Sequence, residues 1–100
     1  MKYDLIYTST FRKQIERFKK KDKVLMEELR KKVEKLRDLS YSGKPLKYRL
    51  SHHWSLRVKG KYRLVYKVDE NESTVTLVAF GHRKEIYELM LFSFEGDPGK

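Results

Sequence analysis

Hydrophobic residues recur with two different periods along the chain, and the change of period separates a helical segment from a strand-rich one. After a first strand predicted at residues 2–7, the hydroxyl groups of residues 8–10 can cap a helix whose apolar face carries Phe11, Ile15 and Phe18. Asp22 can cap a second helix, with its apolar stripe at Leu25, Leu29, Val33 and Leu36. The pattern therefore predicts two antiparallel helices joined by a tight turn.

Beyond a turn at residues 40–45, strand-forming residues dominate the sequence. We expect strands at 46–50, 54–58, 62–68 and 74–80, a turn at 69–73 and a closing helix at 83–92. The fold class expected is α+β, with a small, mostly antiparallel meander sheet packed against the N-terminal helical hairpin and a short C-terminal helix. One domain should span residues 1–94, with a flexible tail at 95–100.

The segment between residues 54 and 66 predicts which side chains share a face of the sheet. Side chains alternate along a strand, and directly opposed residues of an antiparallel pair point the same way. A two-residue turn at 60–61 would place Arg63 and Lys67 on the apolar face. A turn with an odd number of residues, in which Gly60 is left-handed, instead places all six large apolar residues together. The other face then carries Arg57, Arg63 and Lys67.

Two adjacent arginines repel each other, which favours an anion site between them; the alternative is that nearby carboxylates hold them. The composition supports the anion site, because 24 Lys and Arg residues against 14 Asp and Glu give a net charge of +10. Such a surplus attracts RNA, DNA or acidic proteins. A thermophile's surface would explain many charges of both signs, but not this surplus. The charge runs on the two helices are more simply explained as solvated faces.

A second cluster of polar residues lies where the last strand gives way to the last helix. Arg83 and Tyr87 are four residues apart and share one helical face. A guanidinium matches a phosphate, and a phenol can form hydrogen bonds, move a proton or stack on a base. His82 adds an imidazole, a side chain that often serves in acid–base chemistry. The alternatives are that Tyr87 is a core aromatic residue and that His82 is an ordinary loop residue.

Several classes of site are excluded or disfavoured by the composition. The absence of cysteine excludes disulfides, thiol catalysis and cysteine zinc sites. The three histidines lack the spacing of a metal site, so neither metal nor cofactor is expected. No signal-peptide pattern and no membrane-spanning length is seen, so the expected compartment is the cytoplasm.

Two segments, RVKGKYRLVYKV at 57–68 and VAFGHRKEIYELM at 78–90, carry a family resemblance. In their order and separation, the chain resembles the RelE/ParE toxin superfamily over nearly its whole length. That family's fold is a small antiparallel sheet packed on a helical hairpin. RelE-like members cleave mRNA in the ribosomal A site without a metal, by attack of the RNA's own 2′-hydroxyl on the adjacent phosphate.

The resemblance implies roles for particular residues. Arg57 and Arg63 would hold and neutralise the phosphate, Arg83 would act as an acid or a further charge stabiliser, and Tyr87 would act as a base or a stacking group. His82, where some members carry lysine, is a further candidate for acid–base work. Ser55 is a departure, because some members carry a basic residue there. Further RNA contacts are expected from Lys59, Lys61, Lys67, Lys84 and His53.

The same resemblance implies partners and leaves alternative functions open. A cognate acidic, RelB-like antitoxin is expected beside the ribosome and mRNA, with no membrane and no small-molecule cofactor. Leu89, Met90 and Phe92 are candidate antitoxin contacts, with core packing as the alternative. A ParE-like inhibitor of DNA gyrase and an inactive nucleic-acid-binding relative are the alternative functions. The feature that would discriminate cleavage from gyrase inhibition is convergence of Arg57, Arg63, Arg83 and Tyr87 on one groove.

Overall fold

The computed structural model describes residues 2–46 and 51–95, with side chains described up to residue 89 in the last helix. In chain order the elements are β1 (Asp4–Tyr7), α1 (Ser9–Lys19), α2 (Lys23–Leu36), β2 (Lys44–Pro45), β3 (Trp54–Val58), β4 (Tyr62–Asp69), β5 (Thr74–His82) and α3 (Arg83–Glu95). The predicted α+β class is confirmed. Within these ranges no helix is long and apolar enough to cross a membrane.

The helical hairpin forms as its capping residues and apolar stripes predict. The Oγ1 atom of Thr8 accepts a hydrogen bond from the Phe11 backbone N–H at 3.1 Å, and Asp22 accepts one from Leu25 at 3.0 Å. These caps satisfy donors that the first turn of each helix leaves without a helical partner. All four predicted apolar residues of α2, and Phe11 of α1, are buried against the sheet.

The sheet has five strands in the order β1-β5-β4-β3-β2. Three of its four pairings are antiparallel, but β1 pairs with β5 in parallel, so the sheet is mixed and the predicted meander is incomplete. A parallel pair follows from the helical hairpin, which returns the chain to the end of the sheet where β1 began. Most of the strand predicted at 46–50 lies outside the described residues, and β2 is the segment that pairs with β3.

The helices cover the two faces of the sheet unequally. The hairpin α1–α2 packs on the face that carries Leu64, Tyr66 and Phe80, and forms the main core there. On the other face, α3 packs through Ile86 against Val65 and Ala79. This second, smaller core lies on the face that the sequence assigned to the arginines, so α3 is the element that brings its own side chains beside them.

A bulge in β5 sets which of its residues face each core. The register with β4 shifts between Val65, which pairs with Ala79, and Tyr66, which pairs with Leu77. The extra residue, Val78, changes the alternation, so that Leu77 and Phe80 both face the main core although they are three residues apart. Of the tail predicted at residues 95–100, Glu95 is the last residue of α3, and residues 96–100 lie outside the described residues.

Candidate functional site

The turn between β3 and β4 places the two central arginines side by side. Three residues, 59–61, join the strands, and the backbone φ angles of Lys59 and Gly60 are +48° and +77°. The predicted odd-length turn with a left-handed glycine is therefore confirmed. In the resulting register Arg57 lies directly opposite Arg63, and the six large apolar residues share the other face. Two cations thus project from adjacent positions on the same face of the sheet.

Beside these arginines lies an open groove with a cavity volume of about 630 Å³. Arg57 and Arg63 form part of its floor, and Tyr87, which is 50% exposed, lines it from α3. Packing of Ile86 on Val65 holds α3 against this face and so presents Tyr87 to the groove. The segment that includes β2 supplies the opposite wall, with residues 42–46.

Among the described residues, the arginines of the groove have no acidic partner. Within residues 2–46 and 51–89, three of the five ion pairs lie within α1 or α2; the other two join Glu34 to the C-cap residue Arg37 and Arg17 to Glu85. The Nε atom of Arg63 is buried and has no hydrogen-bond partner in the same ranges. Partial burial strengthens both the repulsion between two cations and their attraction for an anion. The geometry therefore favours an anion site over arginines held by carboxylates.

Arg83 lies at one end of this site rather than inside it. It is the first residue of α3, it is exposed, and its backbone N–H donates to the carbonyl of Lys61 in the hairpin turn at 2.9 Å. It is not one of the residues that line the groove. The structure therefore brings three of the four expected residues together, and holds the fourth beside the hairpin turn.

His82 faces away from the arginines. It pairs with Tyr62 across the β4–β5 ladder, and the two rings make an edge-on contact with centroids 5.9 Å apart. Its Nδ1 atom accepts a hydrogen bond from the backbone N–H of Lys84 at 3.2 Å. Because neighbouring strand residues point to opposite faces, His82 lies on the side opposite Arg63.

The predicted RNA-contacting residues differ in their access to solvent. Lys59, Lys61, Lys67 and Lys84 are all exposed; the first two lie in the hairpin turn, and Lys84 in the first turn of α3. His53 is only 8% exposed and offers little surface to RNA. Burial, and then the charges of Lys67 and His52, lower the pKa of His53 below its ordinary value.

The candidate antitoxin contacts are only partly described. Leu89 is half-buried and packs against the small core formed by Val65, Ala79 and Ile86. This contact matches the core-packing alternative. Met90 and Phe92 lie on the backbone of α3, but their side chains fall outside the described residues.

Two cations of the groove were not expected from the sequence. Lys32 reaches it from α2 and Lys44 from β2. The sequence predicted Lys32 on a solvated helix face and Lys44 in a turn. The pairing of β2 with β3 places Lys44 beside the arginines, and Lys32 lines the same groove from α2. Among the described residues no cluster of three His, Asp or Glu side chains could hold a metal ion.

Comparisons with known proteins identify the family to which the chain is similar. The model of a family described as the ParE toxin of the type II toxin-antitoxin system parDE matches residues 5–87. Toxin RelG of Mycobacterium tuberculosis is 42% identical over 45 residues, which are 45% of this chain and 51% of that protein, so the alignment spans about half of that relative. The putative toxin RelE4 of Methanocaldococcus jannaschii is 28% identical over 86 residues, 86% of this chain and 92% of that protein.

Among solved structures, the toxin–antitoxin complex RelBE2 of Mycobacterium tuberculosis contains a similar chain. The two are 30% identical, with a TM-score of 0.63, and the match covers 83% of this chain and 100% of that one.

Proposed function

Because this chain belongs to the ParE toxin family of type II toxin–antitoxin systems, within the RelE/ParE superfamily, we propose that it is a ribosome-dependent endoribonuclease that cleaves mRNA without a metal. One observation carries the proposal. Arg57, Arg63 and Tyr87 line a single groove, and within the described chain neither arginine is paired with a carboxylate. A groove that only stabilised the fold would not keep two opposed cations uncompensated.

The proposed reaction is an internal transfer at one phosphate of the RNA. The 2′-oxygen forms a bond to the adjacent phosphorus while the bond from phosphorus to the 5′-oxygen breaks, which leaves a 2′,3′-cyclic phosphate and a free 5′-hydroxyl. One proton leaves the 2′-hydroxyl for a base, and one proton joins the leaving 5′-oxygen from an acid. Arg57 and Arg63 stabilise the extra negative charge on the five-coordinate phosphate.

Tyr87 is the residue that we assign to the base or to a stacking contact with a neighbouring nucleotide, because its phenol faces the groove from α3. Arg83, at the start of the same helix, is assigned as the acid that protonates the leaving 5′-oxygen or as a further stabiliser of negative charge. His82 is left out of this set, because its ring contacts Tyr62 on the other face of the sheet.

A purified translation system tests the proposal. Programmed ribosomes are incubated with the protein, and new RNA ends are mapped by primer extension. We expect cuts spaced by codons in the A site, and we expect Arg63→Ala to abolish them. Arg30→Ala is the matched control, because that arginine pairs with Glu27 on the outer side of α2, and it should cut as the wild type does. Absence of cuts by the wild type, or undiminished cutting by Arg63→Ala, would overturn the proposal.

The description of the matching family favours one second candidate, a ParE-like toxin that inhibits DNA gyrase. To discriminate cleavage from gyrase inhibition, the wild type, Arg63→Ala and Arg30→Ala are also assayed for inhibition of gyrase supercoiling. Loss of supercoiling with wild-type protein, and no A-site cuts, would support this second candidate.

An acidic antitoxin is the protein partner that we propose. The support is the similarity to a chain of the RelBE2 toxin–antitoxin complex, together with the net charge of +10. Copurification with the product of an adjacent acidic gene, followed by relief of translation inhibition, tests this part.

A further inference from the structure

The edge strand β2 places one more cation on the face that carries the arginines. Lys44 is paired with Ser55 of β3, and paired residues of an antiparallel ladder point to the same face. Ser55 is two residues from Arg57, so the Lys44–Ser55 row lies about 7 Å along the strand from the Arg57–Arg63 row. Because the side chain of Ser55 is short, Lys44 is the longer side chain of the Lys44–Ser55 row on this face.

The backbone before Lys44 is fixed against the main core. The N–H of Gly43 donates to the hydroxyl of Tyr66 at 2.9 Å, and Tyr66 is fully buried. A Cβ atom at Gly43 would lie only 2.7 Å from the carbonyl oxygen of Ser55 and 2.8 Å from the Tyr66 hydroxyl. Beyond β2, the N–H of Leu46 donates to the carbonyl of His53 at 2.9 Å. The backbone is therefore held by hydrogen bonds both before and after β2, at Gly43 and at Leu46.

The charge around Lys44 is also uncompensated. Within the described part of the chain, Lys44 forms no ion pair, and the same is true of Lys32, which lines the same groove from α2. Lys44 therefore lies one row away from two arginines, and Lys32 adds a further cation to the lining of the groove. A single phosphate does not need all of these cations, and the separation of the Lys44 row from the arginine row suits two successive phosphates of an extended nucleic-acid strand.

We propose that Lys44, assisted by Lys32, binds the phosphate next to the one held by Arg57 and Arg63. This subsite rests on the proposed function, since it assumes that the groove holds single-stranded RNA. In this proposal β2 aligns the RNA strand. The neighbouring phosphate lies in the row of Lys44 when the reacting phosphate lies between the arginines.

Binding of a short, fluorescein-labelled oligouridine with 2′-O-methyl groups tests the subsite, because this probe cannot undergo the proposed attack. Fluorescence anisotropy is measured over a series of salt concentrations. We expect Lys44→Ala to weaken binding about five-fold and to reduce the slope of log affinity against log salt by about 0.7, the value for one phosphate contact on a single strand. Lys44→Arg should retain the wild-type slope.

Two further variants separate this subsite from a general effect of charge. Lys20→Ala removes an exposed lysine at the end of α1, outside the groove, and should change the slope little. Adding Ser55→Lys to Lys44→Ala returns a cation to the same row and should restore much of the lost slope. Equal losses in Lys20→Ala and Lys44→Ala, or no recovery in the double variant, would overturn the subsite.

The outcomes for the subsite and for the proposed function are distinguishable. If Arg63→Ala weakens binding but Lys44→Ala does not, the subsite is wrong and the nuclease proposal stands. If both weaken binding and the wild type fails to cut on ribosomes, the subsite stands and the nuclease proposal fails. A wild type that does not bind the probe at all would contradict the subsite.

Discussion

Replacing Arg57 by glutamine should stabilise the folded protein while it weakens the site. Arg57 and Arg63 are directly opposed, and the described residues offer neither of them a carboxylate. Two unit charges about 7 Å apart repel by roughly 0.6 kcal/mol in water, and by more where one of them is partly buried. Like charges directly opposed across a sheet destabilise it, which agrees with the sign of this value. Arg57 is exposed, so the glutamine loses little packing.

The expected gain can be measured as a rise in melting temperature. For a domain of this size, 1 kcal/mol corresponds to about 4–8 °C, so Arg57→Gln should melt about 2–5 °C higher at low ionic strength. In 1 M salt, where the screening length falls to about 3 Å, the difference should nearly disappear. Circular dichroism melts at both salt concentrations provide the test.

The matched control is Arg30→Gln, which removes a guanidinium that bonds to Glu27 at 2.7 Å on the surface of α2. Its melting temperature should stay level or fall slightly, since exposed ion pairs contribute little. Added phosphate should then raise the melting temperature of the wild type more than that of Arg57→Gln, because an anion binds only the folded state. If Arg57→Gln melts lower than the wild type, Arg57 is held by favourable contacts and the anion site is refuted.

The remaining predictions concern the wall of the groove, a helix cap and the pH dependence of stability. Gly43→Ala should lower the free energy of unfolding, measured in urea, by more than Gly60→Ala. At Gly43 a Cβ atom would lie within 3 Å of two oxygen atoms, whereas at Gly60 the space is open and the cost comes only from the left-handed φ angle. Equal losses of unfolding free energy in the two variants would contradict the close packing of Gly43 before β2. Asp22→Ala should cost about 1 kcal/mol through loss of its cap, again in urea. The lowered pKa of His53 means that the unfolded chain binds more protons below pH 6.5, so stability should fall as the pH drops through that value. His53→Gln should flatten the melting temperature against pH between 7.5 and 5.5.

The hairpin that carries Arg57 and Arg63 could be predicted from the sequence because its information is local. Two alternating apolar runs and one glycine leave only one register that keeps all the large apolar residues together. The observed pairs and the φ of Gly60 agree with it. The helix caps at Thr8 and Asp22 could be predicted for the same reason, since the capping residue and its partner are three residues apart.

The features that the sequence did not reveal depend on distant or irregular pairing. The parallel pairing of β1 with β5 joins segments about 70 residues apart, and nothing near Asp4 indicates it. The bulge at Val78 changes the alternation of β5, which no local apolar pattern shows. Lys44 borders the arginines only because a two-residue strand pairs with β3, and a strand of that length has no recognisable period.

The unequal cores on the two faces of the sheet have a consequence for local opening. The helical hairpin buries five large side chains in the main core, whereas Ile86 is the fully buried side chain of α3 among those described there. An element with few buried contacts opens at a lower free energy than the whole domain. Amide hydrogens of α3 should therefore exchange with deuterium through an opening that leaves β3 and β4 folded. In that partly open form the arginine pair persists while Tyr87 departs, so assembly of the complete site is an equilibrium separate from folding.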